Sequence, residues 1–499
     1  MYTLNPNTIK LADAIAVKDF GISELILMKN AAKSCFEYIY RRISYDDRIV
    51  ILCGKGNNGG DGYEIARILK KEWFNVTVIN VFETPPVTPT AMQVYKDCVE
   101  CGVQILGFST WEESIKEATV IIDAIFGVGF YGEIDKNGEI GKMLGFCNCK
   151  NAKRIAIDTP SGINSADGRV DGIAFMADFT VTMAYVKTGM LSYPAREYCG
   201  EIKVADIGYP NELCEAIEKD ALIPDDEYVY SVLPKRHADS HKGTYGRLLM
   251  YCGSRNMTGA AILSANAALR SGAGLVNIAK DENTIRILQS HLVEPVFSVI
   301  SEKDKEREIL SLSEKASAIL IGCGMGTLDD DKKVLFSLIK NASCNIIIDA
   351  DGINCLGMNK LILKEAKRTP VLTPHPLEFA RLIETDAENV QKNRINLARD
   401  FAKEYGCVIV LKGAATVIAS PDGRLCINTT GNPGLSKGGS GDVLAGLISS
   451  FCAQGISPFD SAALAVYIHG KAADILAERI SEYGLLPSDL PMEIAKLLP

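Results

Sequence analysis

Three acidic side chains in the first half of the chain stand where apolar runs end, a place suited to moving protons or holding cations. Asp61 lies in the turn Cys53-Gly-Lys-Gly-Asn-Asn-Gly-Gly-Asp-Gly62, Asp123 in the run 119–126, and Asp158 ends the run 154–158. Glycines at a strand-to-helix turn permit positive φ angles and close backbone approach, and a helix N-terminus offers free N–H groups. The segment therefore reads as a phosphate cradle, with a tight turn as the plain alternative. Asn57, Asn58 and Asp61 add polar groups that a turn does not require. Each acid taken singly also suits a helix cap. Three polar constellations at the carboxyl ends of three strands, however, converge in space.

The second half carries a different set. Gly431-Asn-Pro-Gly-Leu-Ser-Lys-Gly-Gly-Ser-Gly-Asp442 precedes an apolar helical run. Gly438, Gly439 and Gly441 can line N–H groups along a developing negative charge, an anion hole for phosphoryl transfer. Asp442 is then placed to take a proton from a hydroxyl nucleophile, beyond any capping role. Lys412-Gly-Ala-Ala-Thr416 falls at a strand–turn–strand and could pair with phosphate oxygens, although a surface hairpin alone has the same pattern. His375, between Pro374 and Pro376, ends a strand and is a candidate ligand contact. No GxxxxGK[ST] occurs, so this is not a P-loop enzyme.

These residues need a scaffold, and the chain supplies one. Short apolar runs at 48–54, 75–81, 103–106, 119–126, 154–158, 180–184 and 203–207 alternate with helical spacing, the first helix being expected over 61–72. The pattern lapses between Pro210 and Gly243, across Pro224, Pro234 and the acidic run Asp225-Asp226-Glu227. It restarts at 246–252 and continues through 318–322, 345–349, 371–373 and 408–411. Two tandem three-layer α/β domains are expected, 1–214 and 230–499, joined by a linker over 215–229 with the boundary near 220.

Composition narrows the function classes. The chain has 499 residues, enough for two cores, and a formal net charge of −9. That charge, with no basic block, argues against a nucleic-acid partner. No stretch is long and apolar enough to span a membrane, and residues 1–10 carry no signal pattern. Fifteen cysteines, most inside apolar elements, read as reduced packing thiols in a cytoplasmic protein; Cys98/Cys101 and Cys147/Cys149 lack a second metal-ligand pair. A homo-oligomer is compatible with a chain of this kind.

GNNGGDG, DAIFGVGFYGE, DTPSG with Asn164 and Asp167, and VADIGYP together resemble the NAD(P)H-hydrate epimerase family across residues 1–214. The resemblance implies a Rossmann-like fold and a dinucleotide whose nicotinamide ring has gained water. It implies that Asn57, Asn58, Gly59, Gly60 and Asp61, then Gly127, Val128, Gly129, Phe130, Tyr131, Gly132 and Glu133, and Asp158 touch that substrate. Asn58, Asp123 and Ser161 would supply oxygens to a potassium ion. Asp158 is the expected proton shuttle at ring carbon 6, with Asp61 the competing candidate at a position that suits a helix cap.

Residues 230–499 resemble the ADP-dependent NAD(P)H-hydrate dehydratase family, of ribokinase-like fold. Two departures stand out: HPLE at 375–378 where the family usually has HPGE, and Cys323 in GCGMG where proline is common. The resemblance implies that Lys412, Gly413, Ala414, Ala415, Thr416 and Gly441 bind ADP. Gly259, Gly324, His375 and Asp442 would contact the hydrate, with Asp442 catalytic. Magnesium would bridge the phosphates, with Glu378 a candidate ligand. Together these imply a bifunctional repair enzyme for hydrated NADH and NADPH. The residues also leave room for a kinase of a small hydroxymethyl compound, or an N-terminal domain that merely binds.

Overall fold

The computed structural model describes residues 1–499 as two compact units, 2–221 and 222–499. In the first, seven parallel strands lie in the order Gln104–Gly107, Asn75–Asn80, Arg48–Cys53, Val120–Ala124, Lys153–Ile157, Phe179–Met183 and Glu201–Ala205. Strand Arg48–Cys53 shows why the sheet is covered on both faces. Ile49, Ile51 and Cys53 join one core with helices Glu24–Tyr40 and Asn57–Lys71, while Val50 and Leu52 join another with helix Glu139–Cys149. A strand buried on both sides is continuously apolar rather than alternating. Strand order reverses between Arg48–Cys53 and Val120–Ala124, and a doubly wound sheet opens its ligand crevice at that switch point.

The second unit is built on a ten-stranded sheet, parallel from Val296–Val299 through Leu275–Lys280, Arg247–Tyr251, Ala318–Ile321, Asn345–Ile348 and Val371–Leu372 to Val408–Leu411. Val417–Ala419 and Leu425–Ile427 then add antiparallel, and Ala221–Leu222 is the tenth strand, at that edge. Leu248 and Met250 pack with helices Thr258–Arg270, Ser440–Ala453 and Pro458–Ile480; Leu249 and Tyr251 are buried on the opposite face. Here the order reverses between Arg247–Tyr251 and Ala318–Ile321.

The expected linker is structured. Residues 215–229 hold the end of helix Asn211–Ala216, strand Ala221–Leu222 and the start of helix Asp226–Val232. Asp225 caps that last helix, accepting from the Tyr228 amide at 2.9 Å, so the acidic run is a helix start. Leu222 and Val229 are buried in the core of the second unit, which therefore begins earlier than 230.

Candidate active sites

In the first unit, helix Asn57–Lys71 starts four residues ahead of the expected one. Its N-cap is Gly56, which has no side chain with which to cap, and Asp61 lies within the helix with its carboxylate buried. Asp61 is thus not a cap. The turn is tight: a Cβ at Gly54 would fall 2.0 Å from the Ile125 carbonyl oxygen, and one at Gly59 would fall 1.9 Å from that of Gly54. No other residue fits either place. Asn57 accepts from the Thr88 hydroxyl at 2.6 Å, whereas both polar atoms of the buried Asn58 amide have no protein partner. An orphaned buried amide costs about 1–3 kcal/mol unless a ligand satisfies it.

Asp123 ends its strand fully buried. Its carboxylate accepts from the Ser161 hydroxyl and amide, both at 2.7 Å, and from the Ile125 amide at 3.2 Å. Ser161 Oγ in turn accepts from the Phe126 amide at 2.9 Å. Burial raises Asp123 to about 6 against these lowering bonds, and no cationic side chain pairs with it.

Asp158 follows its strand at φ +67°, a left-handed conformation costly for a non-glycine residue. Its Oδ2 accepts from the Val128 amide at 3.3 Å, and its Oδ1 ion-pairs with Lys187. A Cβ on Gly127 would lie 3.1 Å from Asp158 Oδ2 and 3.2 Å from Asn58 Cβ, so these three loops meet at Gly127. Burial and the nearby Asp158 charge push Asp61 well above the usual carboxylate range. The rest of the 127–133 loop is looser: Gly129, Tyr131, Gly132 and Glu133 are exposed, and Phe130 packs on Phe126 with ring centroids 4.9 Å apart.

In the second unit a buried network centres on Asp349, at the end of strand Asn345–Ile348. Its Oδ1 accepts from Thr373 Oγ1 at 2.6 Å and from Lys412 Nζ at 2.8 Å, and its Oδ2 from the Cys323 thiol at 3.6 Å. Cys323, Asp349 and Asp442 bring their ligand atoms within 4.8 Å of one another. Asp442 sits in the first turn of helix Ser440–Ala453, whose N-cap Gly439 has φ +106° and no side chain to cap the amides. A Cβ on Gly441 would lie 3.3 Å from Lys412 Nζ, so a cation and a set of helix N–H groups share one place. Burial, then the charge of Asp349, raise Asp442 to about 6; the Cys323 thiol and Lys412 pull the other way.

Lys412, Gly441 and Asp442 come together at the start of helix Ser440–Ala453. The Lys412–Thr416 turn links antiparallel strands, Thr416 Oγ1 donates to the Gly413 carbonyl at 2.9 Å, and Ala415 takes φ +52°. Gly324 lies against the start of helix Thr258–Arg270, which holds Gly259: a Cβ on Gly324 would meet the Met257 carbonyl oxygen at 2.9 Å. His375 has a structural role as well. Its Nδ1 accepts from the Leu377 and Glu378 amides, each at 3.2 Å, and Glu378 returns the bond to the His375 amide at 2.8 Å. Both residues of HPLE therefore form a capping box for helix Pro376–Ile383. The ring stays half-buried, and burial, with Lys412 and Arg381 adding to it, holds it below the usual imidazole range.

Sequence reasoning passed over Lys187 and Arg394. The buried Arg394 donates to the Leu411 and Lys412 carbonyls at 2.8 and 3.2 Å and so braces the Lys412 turn. Lys187, amid Met183-Ala-Tyr-Val-Lys-Thr-Gly-Met190, offered one signal, a charge inside an apolar run.

Residues 24–189 match the family described as YjeF-related protein N-terminus, and residues 248–496 match NAD(P)H-hydrate dehydratase. The bifunctional NAD(P)H-hydrate repair enzyme Nnr of Moorella thermoacetica is 34% identical over 506 residues, covering 98% of this chain and 95% of its own length. Its namesake from Escherichia coli is 32% identical, covering 97% and 93%. The crystal structure of an ADP/ATP-dependent NAD(P)H-hydrate dehydratase from Bacillus subtilis, co-crystallised with ATP/Mg2+, is 35% identical, with a TM-score of 0.49, over 56% of this chain and 98% of that one.

Proposed function

Because this chain belongs to the family of bifunctional NAD(P)H-hydrate repair enzymes, we propose that it returns damaged NADH and NADPH to use through two separate sites. The first unit interconverts the R and S hydrates. The second dehydrates the S form with ADP, releasing AMP and phosphate. The observation that carries the dehydratase reading is the junction of Asp442, Gly441 and Lys412 at one helix N-terminus.

At that junction the reaction follows from leaving-group quality. Hydroxide leaves poorly at neutral pH, so the hydroxyl on ring carbon 6 must first be phosphorylated. Asp442 takes the hydroxyl proton; the oxygen bonds to the β-phosphorus, and AMP departs. The helix amides and Lys412 stabilise the charge gathered on the phosphoryl oxygens. Phosphate then leaves with the ring carbon's bonding pair, a proton is lost from the neighbouring carbon, and the dihydropyridine returns. Magnesium bound to the nucleotide supplies charge neutralisation of its phosphates. Glu378 is committed to the capping box, so no step is assigned to it as a metal ligand.

In the first unit, Asp158 lies against Asn58 and the 127–128 loop and moves the proton of the hydroxyl that changes face. Asn57–Asp61 and 127–133 hold the dinucleotide. Potassium suits Asn58, Asp123 and Ser161: the Asn58 amide lacks partners, Asp123 is a buried carboxylate with no cationic partner, and all offer hard oxygens. The ion would supply a fixed positive charge there. All fifteen cysteines are free, which fits a reducing, cytoplasmic setting, and no helix is long and apolar enough to cross a membrane. The test is product analysis: S hydrate and ADP should give reduced dinucleotide, AMP and phosphate in equal amounts. A stable phosphorylated product without elimination would instead mark a kinase.

A further inference from the structure

We infer that Lys187 is the positioning residue of the epimerase site, the fixed countercharge that aims the Asp158 carboxylate and without which Asp158 cannot move the proton. This rests on the epimerase reading of that site. Lys187 lies on the short strand Val186–Lys187 and is 0% exposed. Lysine is almost never so buried unless it is paired. Its three N–H donors have three acceptors: Asp158 Oδ1, Thr182 Oγ1 at 2.8 Å and the Met183 carbonyl at 3.0 Å. With every donor engaged, the ammonium holds one orientation and has none left for a ligand. It acts on chemistry through Asp158 alone.

Asp158 needs such a hold. It carries a left-handed backbone, and its other carboxylate oxygen receives just one long bond, from the Val128 amide at 3.3 Å. The Met183 amide adds a weak contact to Oδ1 at 3.4 Å. The surroundings are acidic: Asp61 and Asp13 both feel the charges of Asp158 and Lys187, Glu64 acts also on Asp61 and Glu24 on Asp13, and Asp13 accepts from Tyr209 at 2.6 Å. Burial pushes Asp13 upward and Asp61 well upward, and the charge of Asp158 adds to both shifts. Among these acids the ammonium makes its ion pair with Asp158, and so marks out one carboxylate from its neighbours. A tethered, charge-paired carboxylate beside the Asn58–Gly127 contact is a rigid base, and catalysis by proton transfer depends on such geometry.

The experiment measures exchange between R and S NADH hydrates by the full-length chain, as kcat and KM, for wild type, Lys187→Met, Asp158→Asn and the double variant. Lys187→Met should lower kcat about 100-fold, the size of a general acid–base contribution, with KM changed less than about threefold. In the Asp158→Asn background the same change should cost nothing further, because the lysine works through that carboxylate. Should Lys187→Met fail to fold, as judged by its melting curve, Thr182→Val removes one acceptor from the ammonium and should lower kcat about threefold to tenfold. A Lys187→Met kcat within about twofold of wild type, losses that multiply in the double variant, or an unchanged Thr182→Val would each overturn the inference. A wild-type chain that exchanges nothing overturns the epimerase reading itself, and that outcome is distinguishable because it precedes any variant.

Discussion

Asp158, which is buried, and Asp442, which is partly buried, are both acids at the carboxyl end of a sheet, yet their surroundings treat them in opposite ways. Asp158 has a lysine to itself, fully desolvated and saturated with acceptors. The lysine nearest Asp442 is bound to Asp349 instead, so Asp442 feels a carboxylate and a thiol before it feels a cation. The difference matches the two tasks. Returning a hydroxyl to either face of a ring needs a base fixed in place. A base that must take a proton and then face an anionic phosphoryl group does better without a permanent partner. The cation is set one residue away, over Gly441, where the transferred phosphoryl charge would gather.

The largest effect that tests this contrast is the removal of Asp442. Asp442→Asn should lower dehydratase kcat by about 10²–10⁴-fold while R/S exchange continues, read by separate assays on one preparation. Equal loss of both activities would dissolve the contrast. Lys412→Met comes next. It should raise KM for ADP, lower kcat at least about tenfold, and destabilise the second unit by about 3 kcal/mol, since Asp349 stays buried without its cation. A variant with wild-type stability would show that the ion pair does not hold that network together.

The pH dependence is smaller and has a fixed sign. Asp442 acts as a base and is raised to about 6, so dehydratase kcat/KM should fall about tenfold per pH unit below that value and level off above it. A flat profile down to about pH 4.5 would mean that Asp442 is not the titrating base. Stability runs the other way. The folded state holds this proton more tightly than the unfolded chain, whose carboxyl stays near 3.8, so the favourable contribution is present at low pH and lost as pH rises through about 6. Asp442→Asn should therefore stabilise the protein by on the order of 1–3 kcal/mol near pH 8, and by little near pH 4, measured by denaturant unfolding. Cys323→Ala gives the smallest change. Losing the thiol that pulls the Asp442 carboxyl downward should move the pH break upward by less than about one unit.

The alternation of strands and helices, the two sheets and the glycine turns were legible because burial on both faces of a sheet writes continuous apolar runs, as at 48–54. The helix at Asn57 was read four residues late because Gly59 and Gly60 are poor helix formers, and tertiary contact with Gly54 overrides that preference. The acidic run at 225–227 looked like a linker because charge and proline suggest exposure; Asp226 and Glu227 are indeed exposed, but Leu222 and Val229 on either side are buried in the second core. Lys187 was missed for a related reason. A lysine is read as solvated, and its partner stands 29 positions earlier, a pairing that only the crossover between strands brings together. For His375 the proline on each side was a true signal of a fixed backbone, but one that serves a helix cap.

The most direct test of two separately tuned sites follows the near-ultraviolet absorbance of reduced nicotinamide as it returns from an equilibrated mixture of R and S NADH hydrates. ADP and magnesium are present, and spontaneous epimerisation is measured without enzyme. The account predicts full recovery for wild type, recovery that stops at the S fraction for Asp158→Ala, and none for Asp442→Ala. Full recovery by Asp158→Ala at the wild-type rate, or no recovery by wild type with either ADP or ATP, would contradict it.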